Sequence, residues 1–116
     1  MSRVAFVVRK PPYGEIHAAE AIRHALGGAG RMDITLLLVD SGVLLAKTGQ
    51  EEGDTGFTNL GEVLRECLKK GIKVCADKTS IEEQHLKTSD IIEGVMVAEG
   101  KEILERIKNA KSVMIF

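Results

Sequence analysis

Aromatic residues and proline are scarce in this sequence, and neither sign of charge is in excess. Its 116 residues include three Phe, one Tyr, no Trp and two Pro, with 16 Lys and Arg against 17 Asp and Glu. A chain without a basic excess has little charge to pair with a phosphate backbone, and four aromatic rings offer few platforms for stacking on bases. We therefore expect no direct binding of nucleic acid.

Long hydrophobic runs are also absent. The longest apolar stretch, residues 34–39, is interrupted by Thr35 and is far shorter than the ~20 residues that cross a bilayer. The first ten residues have neither the apolar length nor the small-residue cleavage site of a signal peptide. These features predict a cytoplasmic protein that does not span a membrane.

Cysteine is limited to Cys67 and Cys75, and no C-x-x-C motif is present. In a reducing compartment both should be free thiols, and a chain of this length can bury a core without a disulfide or a metal. His17, Glu20 and His24 share one predicted helix, but zinc sites normally take ligands from several elements, so we interpret them as a solvated face. Phosphate-binding glycine motifs are missing as well. The sequence therefore predicts neither a metal site nor a cofactor.

Apolar runs of strand length alternate with segments of helical period. Strands are predicted over residues 3–9, 32–39, 72–76, 94–98 and 112–116, and helices over 15–26, 59–70, a short segment after residue 76, and 100–109. The uninterrupted apolar run at residues 36–39 predicts a central strand covered on both faces. Residues 47–58 form the longest predicted loop. This order is typical of an α/β protein, a three-layer α/β/α sandwich with a parallel five-stranded sheet, in one domain over residues 1–116.

Ligands of open α/β sheets bind beyond the carboxyl ends of the strands, which directs attention to the residues that follow them. Cys75 is predicted to end the third strand just before a helix, where the helix N-terminus and nearby Lys78 would favour the thiolate. The alternative is that Cys75 is a small buried apolar residue. Cys67 falls on the apolar stripe of the second helix and is predicted to be buried there. The candidate residues are Pro11, Pro12, Tyr13, Gly14, Asp40, Gly42, Cys75 and Lys78.

Two of these segments resemble a known family. The run Arg-Lys-Pro-Pro-Tyr-Gly at residues 9–14, and Val-Asp-Ser-Gly-Val at residues 39–43, are similar to segments of the DsrE/DsrF-like sulfur-relay proteins, and most similar to their DsrF/TusC branch. The similarity continues more loosely through residues 71–75, where sulfur-carrying members place their cysteine. The resemblance thus implies an intracellular protein that carries sulfane sulfur as a persulfide on Cys75 and passes it to a partner.

The resemblance also implies partners. Members of the family assemble into homotrimers or homohexamers, or into hetero-oligomers of related subunits, and they exchange sulfur with donor and acceptor proteins. In the three-subunit complexes the DsrF/TusC-like chain supports a cysteine-bearing subunit. Two hypotheses therefore stand: a persulfide carrier acting through Cys75, with sulfurtransferase-like chemistry, or a non-catalytic interaction subunit in which Cys75 is buried. Pro11, Pro12, Tyr13, Gly14, Asp40, Gly42 and Lys78 would line the site or an interface beside it.

Overall fold

The computed structural model of the chain describes residues 2–12, 16–49 and 60–116. Its elements, in chain order, are β1 (Arg3–Val8), α1 (His17–Gly28), β2 (Asp33–Leu38), α2 (Leu60–Lys69), β3 (Lys73–Asp77), α3 (Lys78–Glu83), β4 (Met96–Ala98), α4 (Gly100–Lys108) and β5 (Ser112–Ile115). Two 3₁₀ helices span Asp40–Ala46 and Thr88–Asp90. Most of the loop predicted over residues 47–58 lies outside the described residues.

All four strand pairs of the sheet are parallel, and the strand order is β4-β3-β2-β1-β5. Helices cover both faces, so the predicted α/β/α sandwich with a parallel five-stranded sheet is confirmed. β2 is the middle strand, as its uninterrupted apolar sequence predicts. Its residues Leu36, Leu37 and Leu38 are all buried, because each face of β2 is covered by a different layer of helices.

The larger core lies between one face of the sheet and the layer formed by α1, α2, α3 and the 3₁₀ helix Asp40–Ala46. Phe6, Leu36 and Val74 occupy neighbouring strands on this face and pack with helix residues such as Ile22 and Leu64. Side chains alternate between the two faces of a strand, so the residues between these point to the opposite side of the sheet.

The smaller core lies on that opposite face, beneath α4. Val7, Leu37 and Cys75 form one row across β1, β2 and β3, and Ile103 of α4 packs against them. α4 is the one helix of the described residues that packs there. A single nine-residue helix thus covers the middle of this face of the sheet.

The outer strands differ from their predicted lengths. β4 begins at Met96 and not at Gly94, because Gly94 adopts a positive φ of 101°, which turns the chain instead of extending it. At the other edge β5 pairs with β1, and the Phe116 N–H donates to the Val7 carbonyl at 2.8 Å. This pairing confirms that the C-terminal strand is tied into the sheet. In the described part of the chain, no helix has the length and apolar character to cross a membrane.

Candidate functional site

The carboxyl ends of β1, β2 and β3 meet at one edge of the sheet, and most predicted site residues follow them. Pro11 and Pro12 come after β1 and are half-buried. Tyr13 and Gly14 of the same segment lie outside the described residues. Lys78 begins α3 directly after β3 and is exposed. The edge therefore presents one exposed cation at the end of β3 and a pair of prolines near the end of β1.

Gly42 lies where the chain leaving β2 crosses the end of β1. A Cβ atom at this position would collide with the carbonyl oxygen of Val8 and lie 2.7 Å from its carbonyl carbon. The Gly42 N–H donates to the carbonyl of Val39 at 2.8 Å. Because no side chain fits into this backbone contact, glycine is required to seat the 3₁₀ helix Asp40–Ala46 against the sheet.

A chain of hydrogen bonds connects β2 to β3 at this edge. The Asp40 N–H donates to Ser80 Oγ at 2.8 Å, and the Ser80 hydroxyl donates to Asp77 Oδ2 at 2.6 Å. The same carboxylate oxygen accepts the Ser80 N–H at 3.1 Å, so Asp77 is the N-cap of α3. The network fixes the start of α3 against the start of the 3₁₀ helix.

Arg9 extends this network to β1. Its Nε donates to Asp40 Oδ2 at 3.3 Å, with both side chains mostly exposed, so the ion pair adds little stability. Ser80 is buried and its one hydroxyl proton is engaged by Asp77, which leaves no free hydroxyl for nucleophilic attack. The arrangement can therefore hold three strand ends in place. Arg9 and Ser80 were not predicted as residues of this site; the aspartate three residues before Ser80 was the available capping signal.

Cys75 does not lie at this edge, which corrects its predicted placement at the end of the third strand. β3 continues to Asp77, so Cys75 is the middle residue of the strand and not its last. Its side chain has no exposed surface and faces α4, whereas the 3₁₀ helix that carries Asp40 and Gly42 packs on the other face. Asp40, Gly42 and Lys78 are thus brought to the edge of the sheet, but not around the thiol.

The electrostatics of Cys75 also differ from expectation. Burial raises the pKa of its thiol; Arg106 and Lys73 act in the opposite direction, and Glu102 acts with burial. The expected lowering of the pKa by a helix N-terminus is therefore wrong. The reason is that the Cys75 side chain lies in the apolar layer beneath α4 and not in front of α3. In this conformation the thiol is protonated at neutral pH and closed to a large reaction partner.

Cys67 lies in the larger core, as its place on the apolar stripe of α2 predicts. It is fully buried, and burial raises the pKa of its thiol to about 11. Both cysteines are free thiols, and they lie on opposite faces of the sheet. Across residues 2–12, 16–49 and 60–116, no three His, Cys, Asp or Glu side chains lie close enough together to hold a metal ion.

Comparisons with known proteins agree with this fold. The sequence profile of the DsrE/DsrF-like family matches residues 2–116. The intracellular sulfur oxidation protein DsrF of Allochromatium vinosum is 30% identical over 95 residues, covering 80% of this chain and 70% of that protein. An uncharacterised protein of Methanopyrus kandleri is 29% identical over 114 residues, covering 97% and 93%. The crystal structure of the YchN protein of E. coli superimposes with a TM-score of 0.88 at 24% identity, each chain fully covered.

Proposed function

The chain belongs to the DsrE/DsrF-like family, and within it we propose that this protein is a non-catalytic interaction subunit of a sulfur-relay assembly. In this role it shapes and supports a complex whose reactive thiol is supplied by a related subunit. The name of the A. vinosum relative places that protein in intracellular sulfur oxidation. The observation that carries the proposal is the complete burial of both cysteines.

A persulfide carrier needs a thiolate that the thiols of other proteins can reach. Cys67 and Cys75 are the only cysteines of the sequence, and each is 0% exposed. The pKa of each is raised by burial, which further reduces the fraction present as thiolate. Reaction at Cys75 would require the departure of α4, and reaction at Cys67 would require opening of the larger core. Both side chains therefore act as packing residues in this conformation.

The edge strand β5 supports the assembly role. Val113 and Ile115 are exposed on the α4 face of the sheet, and Met114 is exposed on the other face. An edge strand with apolar residues on both faces and unpaired backbone groups on its outer side is a site for pairing with another chain. With a net charge of -1, the chain has little bulk field to attract a partner, so shaped apolar contacts dominate. We propose that the occupant is a second copy of this chain, in a trimer or hexamer that the related subunit with the reactive thiol joins.

Mass spectrometry after exposure to a persulfide donor tests the proposal. A thiolate that attacks the outer sulfur of R–S–SH forms a new S–S bond, and the donor leaves as the thiol R–SH. A carrier therefore gains about 32 Da, one sulfur atom. The native chain should gain nothing, whereas the urea-unfolded chain should gain sulfur at both cysteines. A gain in the native chain that Cys75→Ser abolishes and Cys67→Ser preserves would overturn the proposal.

One observation favours the second candidate, a persulfide carrier acting through Cys75. Arg106 and Lys73 both lower the pKa of this thiol. Arg106 would leave with α4, but Lys73 lies on β3 beside Cys75 and would favour the thiolate once α4 moved and water entered. A donor and an acceptor protein would then exchange sulfur at Cys75 as described above. This candidate predicts that an added donor protein accelerates alkylation of Cys75 in the native state; the interaction-subunit proposal predicts no change.

A further inference from the structure

A cavity of about 190 Å³ lies at the amino ends of β1, β2 and β3, at the opposite edge from the site described above. Ala5, Thr35 and Lys73 are paired across the three strands and line it from the sheet. Arg106, at the C-terminal end of α4, lines it from the helix, and Arg3 lines it from the start of β1. None of these residues takes part in the hydrogen-bond network at the carboxyl edge.

The cavity carries an excess of positive charge. Its lining includes three cations, Arg3, Lys73 and Arg106, and one carboxylate, Asp33, which leaves two positive charges uncompensated. Arg3 is the cation that Asp33 approaches, at 3.8 Å between Nε and Oδ2. Lys73 and Arg106 form no ion pair within the described residues. Two cations of the same cavity are therefore available to an anion.

Arg106 lines the cavity with a guanidinium that the protein satisfies only in part. Its Nε is buried, and it has no hydrogen-bond acceptor among the described residues. A buried donor without an acceptor costs more free energy than a hydrogen bond ordinarily contributes, so such groups are rare in folded proteins. The guanidinium carries four further N–H donors, on Nη1 and Nη2, that can serve an anion in the cavity. Thr35 and Asn109 add a hydroxyl and an amide to the same lining.

The size of the cavity narrows the class of ligand. Pockets for cofactors and drug-sized molecules usually measure about 300–1,000 Å³, and this cavity is smaller and has no aromatic residue in its lining. These features favour a small anion over a nucleotide. We propose that the cavity between α4 and the amino ends of β1–β3 binds a small tetrahedral oxyanion, of the sulfate or phosphate type, through Arg106 and Lys73. A dianion would neutralise the two charges in excess.

Titration with sulfate, followed by amide signals in ¹H–¹⁵N spectra of the full chain, tests this inference. Sodium sulfate is added against sodium chloride at matched ionic strength, so that a general salt effect appears in both series. Saturable shifts are expected at Thr35, Lys73 and Ala110, with sulfate and with phosphate. If chloride alone produces the same shifts, or if sulfate produces none, the cavity is not an oxyanion site.

Arg106→Gln and Lys108→Gln form a matched pair of variants. Both remove one positive charge from the last turn of α4, but Lys108 is exposed and does not line the cavity. The sulfate dissociation constant should rise about tenfold or more in Arg106→Gln and change less than about twofold in Lys108→Gln. If the two variants lose the same affinity for sulfate, the net charge of the protein explains the binding, and the proposed site is wrong.

Lys73→Gln keeps the inference testable if Arg106→Gln fails to fold, because Lys73 is exposed and its loss disturbs no core packing. A loss of affinity like that expected for Arg106→Gln is predicted. Sodium acetate forms a further arm: tighter binding of acetate than of sulfate would identify a carboxylate as the ligand and refute the tetrahedral class. The result does not depend on the proposed function, since neither cysteine takes part in the binding.

Discussion

Replacing Ile103 by alanine should expose Cys75 without altering the thiol itself. Ile103 is 6% exposed and packs on the row that contains Cys75, beneath the single helix that covers this face. Truncation of a buried Ile to Ala typically costs about 2–5 kcal/mol. Since each 1.4 kcal/mol corresponds to a factor of ten, the population with α4 detached should rise roughly 30-fold or more.

The assay is the rate of alkylation by a maleimide, with peptide mass mapping to separate Cys75 from Cys67. In the wild type, both thiols should react far more slowly than in the urea-unfolded chain, because each reacts only after an opening of the structure. In Ile103→Ala, the rate at Cys75 should rise by the factor given above. Leu104→Ala is the matched control: Leu104 is the next residue of α4 and is half-exposed, so the rate should change by no more than about twofold.

Two results would refute this reasoning. If Cys75 in the wild type reacts at nearly the rate of the unfolded chain, α4 does not protect it and the interaction-subunit proposal loses its main support. If Ile103→Ala leaves the rate at Cys75 within about twofold of wild type, Ile103 does not hold the cover in place. Circular dichroism of each variant excludes global unfolding as the cause of a faster reaction.

Three further predictions concern packing, pH and assembly. Gly42→Ala should lower the free energy of unfolding in urea by about 2 kcal/mol or more, because its Cβ collides with backbone. Gly27→Ala, in a helix with nothing within 4 Å of the added atom, should raise it by about 0.5–1 kcal/mol. Burial raises the folded-state pKa of Cys67 from 9.0 to about 11. The stability that the protonated thiol contributes is therefore fully present below pH 9 and is lost as the pH rises through about 11. The stability of the wild type relative to Cys67→Ala should therefore fall as the pH rises from below 9 to above 11, by roughly 2–3 kcal/mol in all. Light scattering should give the wild type a mass that is a multiple of 12.6 kDa. Ile115→Lys should reduce this mass to that of the monomer. Ile16→Lys is the control and should not, although Ile16 is as exposed as Ile115 (67% and 68%). A monomeric wild type would refute the assembly proposal.

The architecture could be predicted from the sequence because each strand and helix carries a local signal. The unbroken apolar run of β2 predicted the central strand, and the apolar stripe of α2 predicted the buried Cys67. The first and last residues of the strands and helices were harder to predict. The apolar residues that follow Gly94 predicted a strand starting at residue 94. Gly94 instead has a positive φ, which turns the chain before β4. A backbone angle of this kind depends on the conformation of the whole loop.

The predicted placement of Cys75 at the end of β3 was wrong for two physical reasons. The predicted strand ended at residue 76, whereas Asp77 closes β3 and also caps α3, so the strand is longer than its apolar run. The direction of the Cys75 side chain could not be predicted either. Both faces of the inner strands are apolar, and the alternation that would distinguish them in a half-exposed sheet is missing.

The register of β3 decides what Cys75 can do. The strand pairs Cys75 with Leu37 on one side and Met96 on the other, which fixes the thiol in the row covered by α4. The first position beyond the strand, where a side chain reaches the open edge, is held by Lys78. Transfer of sulfur between proteins requires the two sulfur atoms to come within bonding distance, so a donor would have to enter the apolar layer beneath Ile103. An exposed thiol on a neighbouring subunit meets no such obstacle, and we therefore infer that the reactive sulfur lies on the partner and not on this chain.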